Sequence, residues 1–210
     1  MNTLCSLCNN ESEEYFKDKK RLFLKCNGCK AIFVHSLYLP DKSSEIKRYK
    51  EHNNDVEDKG YQKFVDPIVN EIFTDFGPLH IGLDFGAGPG PVISKILADR
   101  NYRIMQYDPF FYNFPHLLEL KYDYIVCCEV IEHFHKPARE FRLLRKMLDE
   151  NGKLYCMTSI YNEKTDFKTW QYKNDQTHVF FYQKDTLGFI SDNFGFPNVK
   201  IKNNLIVFSN

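Results

Sequence analysis

Three sets of residues in this chain have the type and spacing to do chemistry. The first is Cys5, Cys8, Cys26 and Cys29, a C-x2-C-x17-C-x2-C array. Two such pairs supply four thiolates from two tight turns, the tetrahedral donor set that zinc takes. Asn27-Gly28 suits the bend of the second knuckle, and Tyr15 to Leu24, between the pairs, reads as a β-hairpin. A structural zinc ribbon over residues 1–38 is the expectation, with two disulfides as the alternative. His35 lies near, but four cysteines already close the site. The second set is LDFGAGPG at 83–90 with YDP at 107–109. The third is Glu129, Glu132 and His133, with His178 further on.

The second set sits among recognisable elements. A short apolar strand, Ile81 to Phe85, runs into the turn Gly86-Ala87-Gly88-Pro89-Gly90. An amphipathic stretch, Val92 to Ala98, follows, and a strand from Tyr102 to Tyr107 ends on Asp108. Strand, glycine turn, helix, strand and acid make a βαβ nucleoside-binding unit. Glycines let the backbone approach a ligand, and the helix start offers free N–H groups. An acid ending the second strand accepts both ribose hydroxyl protons. The dinucleotide spacing G-x-G-x-x-G and the phosphate-loop lysine are both missing from the turn. Asp84 can take up a ligand ammonium group or hold the loop amides. S-adenosylmethionine (SAM) has that ammonium and no pyrophosphate, so acids and glycines without basic residues fit it. A structural tight turn in another α/β protein is the competing reading.

On LDFGAGPG, YDP and YDYIVCCEVIEHF at 122–134, residues 60–210 resemble the class I SAM-dependent methyltransferases. The resemblance implies an α/β fold, a Rossmann-like sheet with an antiparallel terminal hairpin. It places Asp84, Gly86, Ala87, Gly88, Gly90, Asp108, Pro109, Cys128 and Glu129 at the cofactor. One departure stands out. Between Pro109 and Tyr122 there is no room for a full helix and third strand, so that strand must be short or missing. Phe110, Phe111, Tyr112 and Phe114 either cover the adenine or fill the vacated space, and the filling role is preferred.

The remaining elements follow from pattern. Residues 39–60 read as a linker: a turn at Pro40 to Ser44, a helix from Glu45 to His52, then the polar run Asn53-Asn54-Asp55. A solvated helix and loop is the plain reading; a lid over cofactor or substrate is the sharper one. The methyltransferase domain proper is expected over 61–210. It opens with a helix from Tyr61 to Phe76 that carries Phe64, Val65, Ile68, Val69, Ile72 and Phe73 at helical spacing. Tyr124 to Cys128 is a strand, Glu140 to Leu148 a helix, and Asn151-Gly152 a turn into a strand from Lys153 to Thr158. Gln183 to Asn193 is a helix, and Val199 to Ile201 with Leu205 to Phe208 form the terminal hairpin. Cys127, Cys128 and Cys156 read as small core residues. Chelation is expected to unfold the ribbon and spare the domain behind it.

Methyl transfer by SN2 displacement needs alignment and a deprotonated acceptor. A histidine can be the base, or a divalent ion can lower the acceptor's pKa. Glu129, Glu132 and His133 fall on one turn, and with His178 they are the expected catalytic residues. The pattern is similar to that of metal-assisted O-methyltransferases of ubiquinone biosynthesis and of small-RNA 3′-end methylation, which implies Mg or Mn at Glu129, Glu132, His133 and His178. A metal-free base, a substrate hydrogen bond and a structural role stay open. Trp170, Tyr172 and Asp175 precede His178 and can line the acceptor pocket.

Composition narrows the field. Lys+Arg and Asp+Glu are each 28, so bulk charge does not call for nucleic acid. Aromatic content of 16% favours a packed domain. No apolar stretch spans a membrane, the N-terminus has no apolar signal core, and a cytoplasmic location is the default. The acceptor is expected to be a hydroxyl or amine of a small molecule. RNA is the alternative, since a zinc knuckle ahead of a SAM domain resembles ribosomal RNA guanine methyltransferases, and Lys17, Lys19, Lys20, Arg21, Lys25 and Lys30 give the ribbon local basic excess. A non-catalytic binding protein is the third reading.

Overall fold

The computed structural model describes residues 3–51 and 55–210. His52, Asn53 and Asn54, assigned by sequence to a helix end and a polar run, lie outside the described residues. The N-terminal strands are β1 (Thr3–Leu4), β2 (Glu11–Lys17), β3 (Leu22–Cys26) and β4 (Ile32–Val34), antiparallel neighbours in that order. The expected hairpin is β2–β3, longer than read from sequence and bulged between Glu14 and Phe16. Asp18 makes its turn: the carboxylate accepts the N–H groups of Lys20 and Arg21, each at 2.7 Å.

Two helices follow, α1 (Lys42–Glu51) and α2 (Lys59–Asp75). Asp58 caps α2 by accepting from Gly60 and Tyr61. Val65, Ile68, Val69 and Ile72 form its buried face, as the period requires, whereas Phe64 is exposed and Phe73 half-buried. Then come β5 (Ile81–Phe85), α3 (Val92–Ala98), β6 (Arg103–Tyr107), β7 (Tyr122–Cys128), α4 (Pro137–Met147), β8 (Leu148–Met157), β9 (Phe180–Phe181), α5 (Lys184–Asn193), β10 (Asn198–Lys202) and β11 (Leu205–Ser209).

The main sheet has the order β10-β11-β8-β7-β5-β6. β6, β5, β7 and β8 are parallel, and β11 and β10 return antiparallel as the terminal hairpin. The third strand is missing, as the short interval demanded: a bridge between Asp108 and Tyr112 and a 3-10 turn at Pro115–Glu119 occupy it. β7 shows why the sheet is buried on both faces. Ile125 and Cys127 pack with α4 and α5, while Tyr124 and Val126 pack with α2 and α3. Cys127 and Cys156 are fully buried core residues.

Two expectations need correction. Asn151-Gly152 is not a free turn before the strand, because β8 already starts at Leu148. Tyr122 pairs with Leu148 but Tyr124 with Lys153, so the turn residues are taken up as a bulge inside β8. The N-terminal sheet also does not end with the ribbon. β9 adds to β4 through Ile32↔Phe181 and Phe33↔Phe180. Phe23, Ile32, Val34, Tyr161, Phe167, Val179 and Phe181 form one apolar cluster across the joint. Ribbon and main domain are therefore one packed unit, and loss of the ribbon would expose core of the larger part.

Candidate functional site

At the carboxyl ends of β5, β6 and β7 the sheet opens into a cavity of about 840 Å³, within the range of small-molecule sites. All the residues expected at the cofactor line it, from Asp84 and the glycine turn to Asp108, Pro109, Cys128 and Glu129. Gly86 sits at φ 79° and Gly88 at φ 63°. A Cβ on Gly86 would lie 2.6 Å from Val130, so the turn needs glycine both for its backbone angle and for its packing. Asp108 holds the turn from the other side. One carboxylate oxygen accepts from Gly88 N–H at 3.0 Å, the other from Phe110 and Phe111 N–H at 2.8 and 3.1 Å. Asp84 is buried, and the hydroxyl of Ser94 donates to it at 2.8 Å. Burial raises its pKa to about 6. Of the aromatic run after Asp108, Phe110 alone lines the cavity; Phe114 is exposed.

Beside this cavity lie the acids and histidines. Glu129 follows β7 with φ 52°, a left-handed angle uncommon for a non-glycine residue. The short 3-10 turn Ile131–His133 then carries Glu132 and His133. The structure brings Glu132, His133 and His178 together: their ligand atoms lie within 4.8 Å of one another. His133 Nε2 is 3.9 Å and His178 Nε2 4.0 Å from Glu132 Oε1. Each imidazole meets a backbone carbonyl through Nδ1, His133 at Thr177 and His178 at Tyr172, both at 2.8 Å. A carbonyl only accepts, so both Nδ1 atoms carry a proton, and in the neutral form of each ring Nε2 carries the lone pair. Burial lowers the pKa of His133 and so favours its neutral form.

The three-way group does not include Glu129, whose side chain lines the cavity. Glu132, by contrast, is not a cavity residue: it is wholly buried behind the wall. The two acids meet instead through a residue that sequence reading took for pocket lining. The Tyr172 hydroxyl lies 3.0 Å from Glu129 Oε2, 2.6 Å from Glu132 Oε1 and 3.0 Å from Thr158 Oγ1. Burial, then the neighbouring acid, raises Glu129 to about 8, and burial raises Glu132 to about 7. Trp170 packs on Tyr172 and the apolar cluster and does not reach the cavity.

The linker helix closes the other side. Glu45 and Tyr49 of α1 line the cavity. The Tyr49 ring stands edge-on to His133, centroids 5.2 Å apart, and 5.7 Å from Phe110. His135 Nε2 is 2.9 Å from Glu45 Oε1, and Arg48 is bonded to Asp175 at 2.8 Å. Asp175 thus serves the cavity wall and anchors α1 at once. No periodicity flagged these contacts, because they join residues far apart in the chain.

The four cysteines also converge. Cys5 and Cys29 sulfurs are 3.7 Å apart, Cys8 and Cys26 3.2 Å, and all four lie within 4.8 Å. Sulfurs at tetrahedral zinc, with Zn–S of ~2.3 Å, stand ~3.8 Å apart. None is in a disulfide, and His35 instead accepts from Leu37 N–H. The basic excess of the ribbon is partly spent within the chain: Arg21 is buried, Lys25 pairs with Glu163, and Lys30 donates to Asn27.

Comparison with known proteins agrees with the geometry. A family model described as a methyltransferase domain matches residues 58–201. No curated protein sequence matches the chain. Among solved structures, human N-acetylserotonin methyltransferase in complex with SAM is similar with a TM-score of 0.55 at 12% identity, over 80% of this chain and 56% of that one. An O-methyltransferase family protein from Burkholderia thailandensis gives 0.53 at 10%, over 77% of this chain and 60% of that one. The 1,6-didemethyltoxoflavin-N1-methyltransferase of the same organism, with bound 1,6-didemethyltoxoflavin and S-adenosylhomocysteine, gives 0.54 at 13%, over 93% and 97%. The first two relatives are thus much longer than this chain. At such identities the likeness is one of fold.

Tyr172→Phe removes the one hydroxyl that both acids share and leaves Glu132 Oε1 without its donor. The variant should keep the fold and lose ~1–3 kcal/mol of stability, the cost of stranding a buried acceptor. Thermal unfolding of the two proteins checks this; equal stability would mean that the hydroxyl carries no net weight.

Proposed function

Since the chain belongs to the methyltransferase-domain family and is a SAM-dependent methyltransferase, we propose that it methylates a hydroxyl of a small molecule, using a divalent cation, magnesium or manganese, at Glu132, His133 and His178. The observation that carries this reading is the convergence of two imidazoles, each held at Nδ1 by a backbone carbonyl, on one buried carboxylate. Backbone carbonyls fix the tautomer of each, the support that metal-ligating histidines have. Glu132 Oε2 has no hydrogen-bond partner among the described residues, and a buried, unpaired carboxylate oxygen calls for a cation.

The glycine turn and Asp108 hold the nucleoside part of SAM, and Asp84 takes its ammonium group. When bound, the cation lowers the pKa of an acceptor hydroxyl. Glu129 lines the cavity, and because burial raises its pKa to about 8 its ionised form is a base strong enough to receive the acceptor proton. The acceptor oxygen bonds to the methyl carbon as the sulfur–carbon bond breaks, and S-adenosylhomocysteine leaves with the sulfonium charge gone. Tyr49 and Phe110 wall the reacting centre from water and present an apolar face to the acceptor. The size of the cavity and the internal use of the ribbon's cations favour a small molecule over RNA.

Calorimetry with SAM tests the cofactor half. Asp108→Ala should weaken binding by ~1–3 kcal/mol through lost hydrogen bonds to a charged group. In the free protein Asp84 titrates at about 6, and the incoming ammonium lowers that value. Below this pH the complex holds fewer protons than its free components, so affinity should climb as pH rises toward 6 and then level off. An affinity flat from pH 4.5 to 7 would remove Asp84 from the ammonium site.

The metal half has its own test. Chelator should silence methyl transfer by the wild type, and Mn²⁺ or Mg²⁺ should restore it. His133→Ala and His178→Ala should be inactive and bind SAM as tightly as wild type. If chelation has no effect while His133→Ala stays dead, the histidine acts as a metal-free base.

We further propose one zinc per chain at Cys5, Cys8, Cys26 and Cys29. Their spacing and free thiols support it. Because β4 pairs with β9, removing the metal should lower the stability of the whole chain in one transition, not spare the larger part. Elemental analysis of protein purified under reducing conditions without chelator should find the zinc, and a metal-free preparation of equal stability would count against it.

A further inference from the structure

We propose that Arg21, on the turn between β2 and β3, is a positioning residue for methyl transfer, which makes the N-terminal ribbon part of the reaction centre. The proposal rests on Glu132, His133 and His178 being the working cluster. Its basis is a single segment, residues 172–178. That segment supplies contacts to each member of the cluster: the Tyr172 carbonyl for His178, the Thr177 carbonyl for His133, and the Tyr172 hydroxyl for both acids. It contains only one short 3-10 turn, Gln171–Asn174. Within it the Asp175 carboxylate accepts from the Thr177 N–H and hydroxyl at 2.9 and 2.7 Å, and the Asp175 carbonyl from His178 N–H at 3.3 Å; these bonds shape the segment but do not fix where it sits.

Arg21 does so from outside. It is 7% exposed. Nη1 donates to the carbonyls of Asp175 and His178 at 3.0 and 3.2 Å, and Nη2 donates to the carbonyl of Lys173. The planar fork of a guanidinium can bind three carbonyls of one loop at fixed angles; a lysine ammonium cannot reproduce that geometry. Asp18 fixes the backbone of Arg21, and the guanidinium lies over the Phe23 ring, 5.0 Å from its centroid. Just past the segment the ribbon takes hold again: Val34 N–H donates to Val179 at 2.8 Å, and β4 pairs with β9. Gln183 reaches back to the carbonyl of Lys30, next to Cys29, at 2.6 Å. The loop that aims two imidazoles is thus pinned at both ends by the thiol-bearing module. Removing the fork should let the Tyr172 carbonyl drift from His178 Nδ1, and the imidazole would then exchange its proton between nitrogens.

The test compares full-length wild type with Arg21→Gln and Arg21→Lys. Proton–nitrogen spectra of the imidazoles, recorded without added metal, read the tautomer. Calorimetry reads SAM binding, and electron paramagnetic resonance of Mn²⁺ reads the cluster as a ligand set. In wild type His178 should be wholly Nδ1–H. In both variants it should become a mixture, Mn²⁺ affinity should fall about 10- to 100-fold, and SAM affinity should stay within about twofold. A His178 that keeps its tautomer in either variant would overturn the proposal, as would loss of SAM binding in both, since that is a folding role only. If wild type binds no Mn²⁺, the metal reading fails by itself, and the tautomer comparison still decides the role of Arg21.

Discussion

The carboxylate of Glu132 is taken entirely out of water, and much of the molecule answers to that fact. A buried acid must find hydrogen bonds, a cation or a proton. One oxygen has Tyr172; the other has no partner among the described residues. Its backbone carbonyl is also used, by Val179 N–H at 2.9 Å, which ties the 3-10 turn to the start of β9. Around it stand two imidazoles, that of His133 with its charged form disfavoured by burial, a second acid of raised pKa and a tyrosine whose ionisation burial suppresses. None of these groups brings a fixed positive charge. A cluster of acceptors and lone pairs without a cation is poised to take one up, and that imbalance is what distinguishes it from an ordinary satisfied core network.

Holding such a cluster requires a rigid surround, and the two sheets provide it differently. The main sheet places Glu129 at the end of β7 and the cofactor turn at the end of β5, both by parallel pairing within the buried core. The histidine side of the site hangs on a long connection between β8 and β9 with little regular structure. Such a loop would be costly to order by itself. The five-stranded sheet that ends in β9 lends it the missing support. A boundary drawn at residue 38 from composition thus marks where the thiol module ends in sequence, while the sheet it begins runs on through β9.

Legibility in the sequence tracks how local each interaction is. LDFGAGPG and Asp108 lie within one βαβ unit, so spacing alone placed them at a ligand, and all of them line the cavity. The cysteine pairs are likewise short-range signals, and their sulfurs meet. The missing third strand was readable from a chain interval too short to hold it. Arg21, Tyr49 and Tyr172 were not readable in their roles. Arg21 and the loop it binds are more than 150 residues apart, and its basic turn pointed to an outside partner, RNA, and not to the chain's own carbonyls. Tyr172 bonds acids 40 and 43 positions away, and no period reports a hydroxyl shared between them. Asn151-Gly152 misled for the opposite reason: the local turn signal gave no hint that Leu148 already pairs with Tyr122, which leaves the turn residues as an irregularity inside β8.

Losing the third strand has a consequence at the cavity. β6 becomes the edge of the sheet, and Met105 on it is partly exposed. The helix and strand that would otherwise wall the nucleoside end are replaced by a turn bridged at Asp108 and Tyr112. Within that turn Asp108 accepts from the N–H groups of Phe110 and Phe111, and its other oxygen reaches Gly88 N–H of the glycine turn, so the acid is fixed from two sides. The wall is made good from the other side of the chain, by α1. Its Lys42 and Tyr49 meet Phe110, its Glu45 meets His135 and its Arg48 meets Asp175. None of its residues is fully buried. A helix that packs mainly through polar pairs and one aromatic contact has little apolar area to hold it down, and surface ion pairs contribute little each. It is therefore the element of the site with the lowest cost of opening. α1 is thus the part of the site wall least anchored by apolar packing, while β4–β9 pairing and the main sheet hold the residues beneath it.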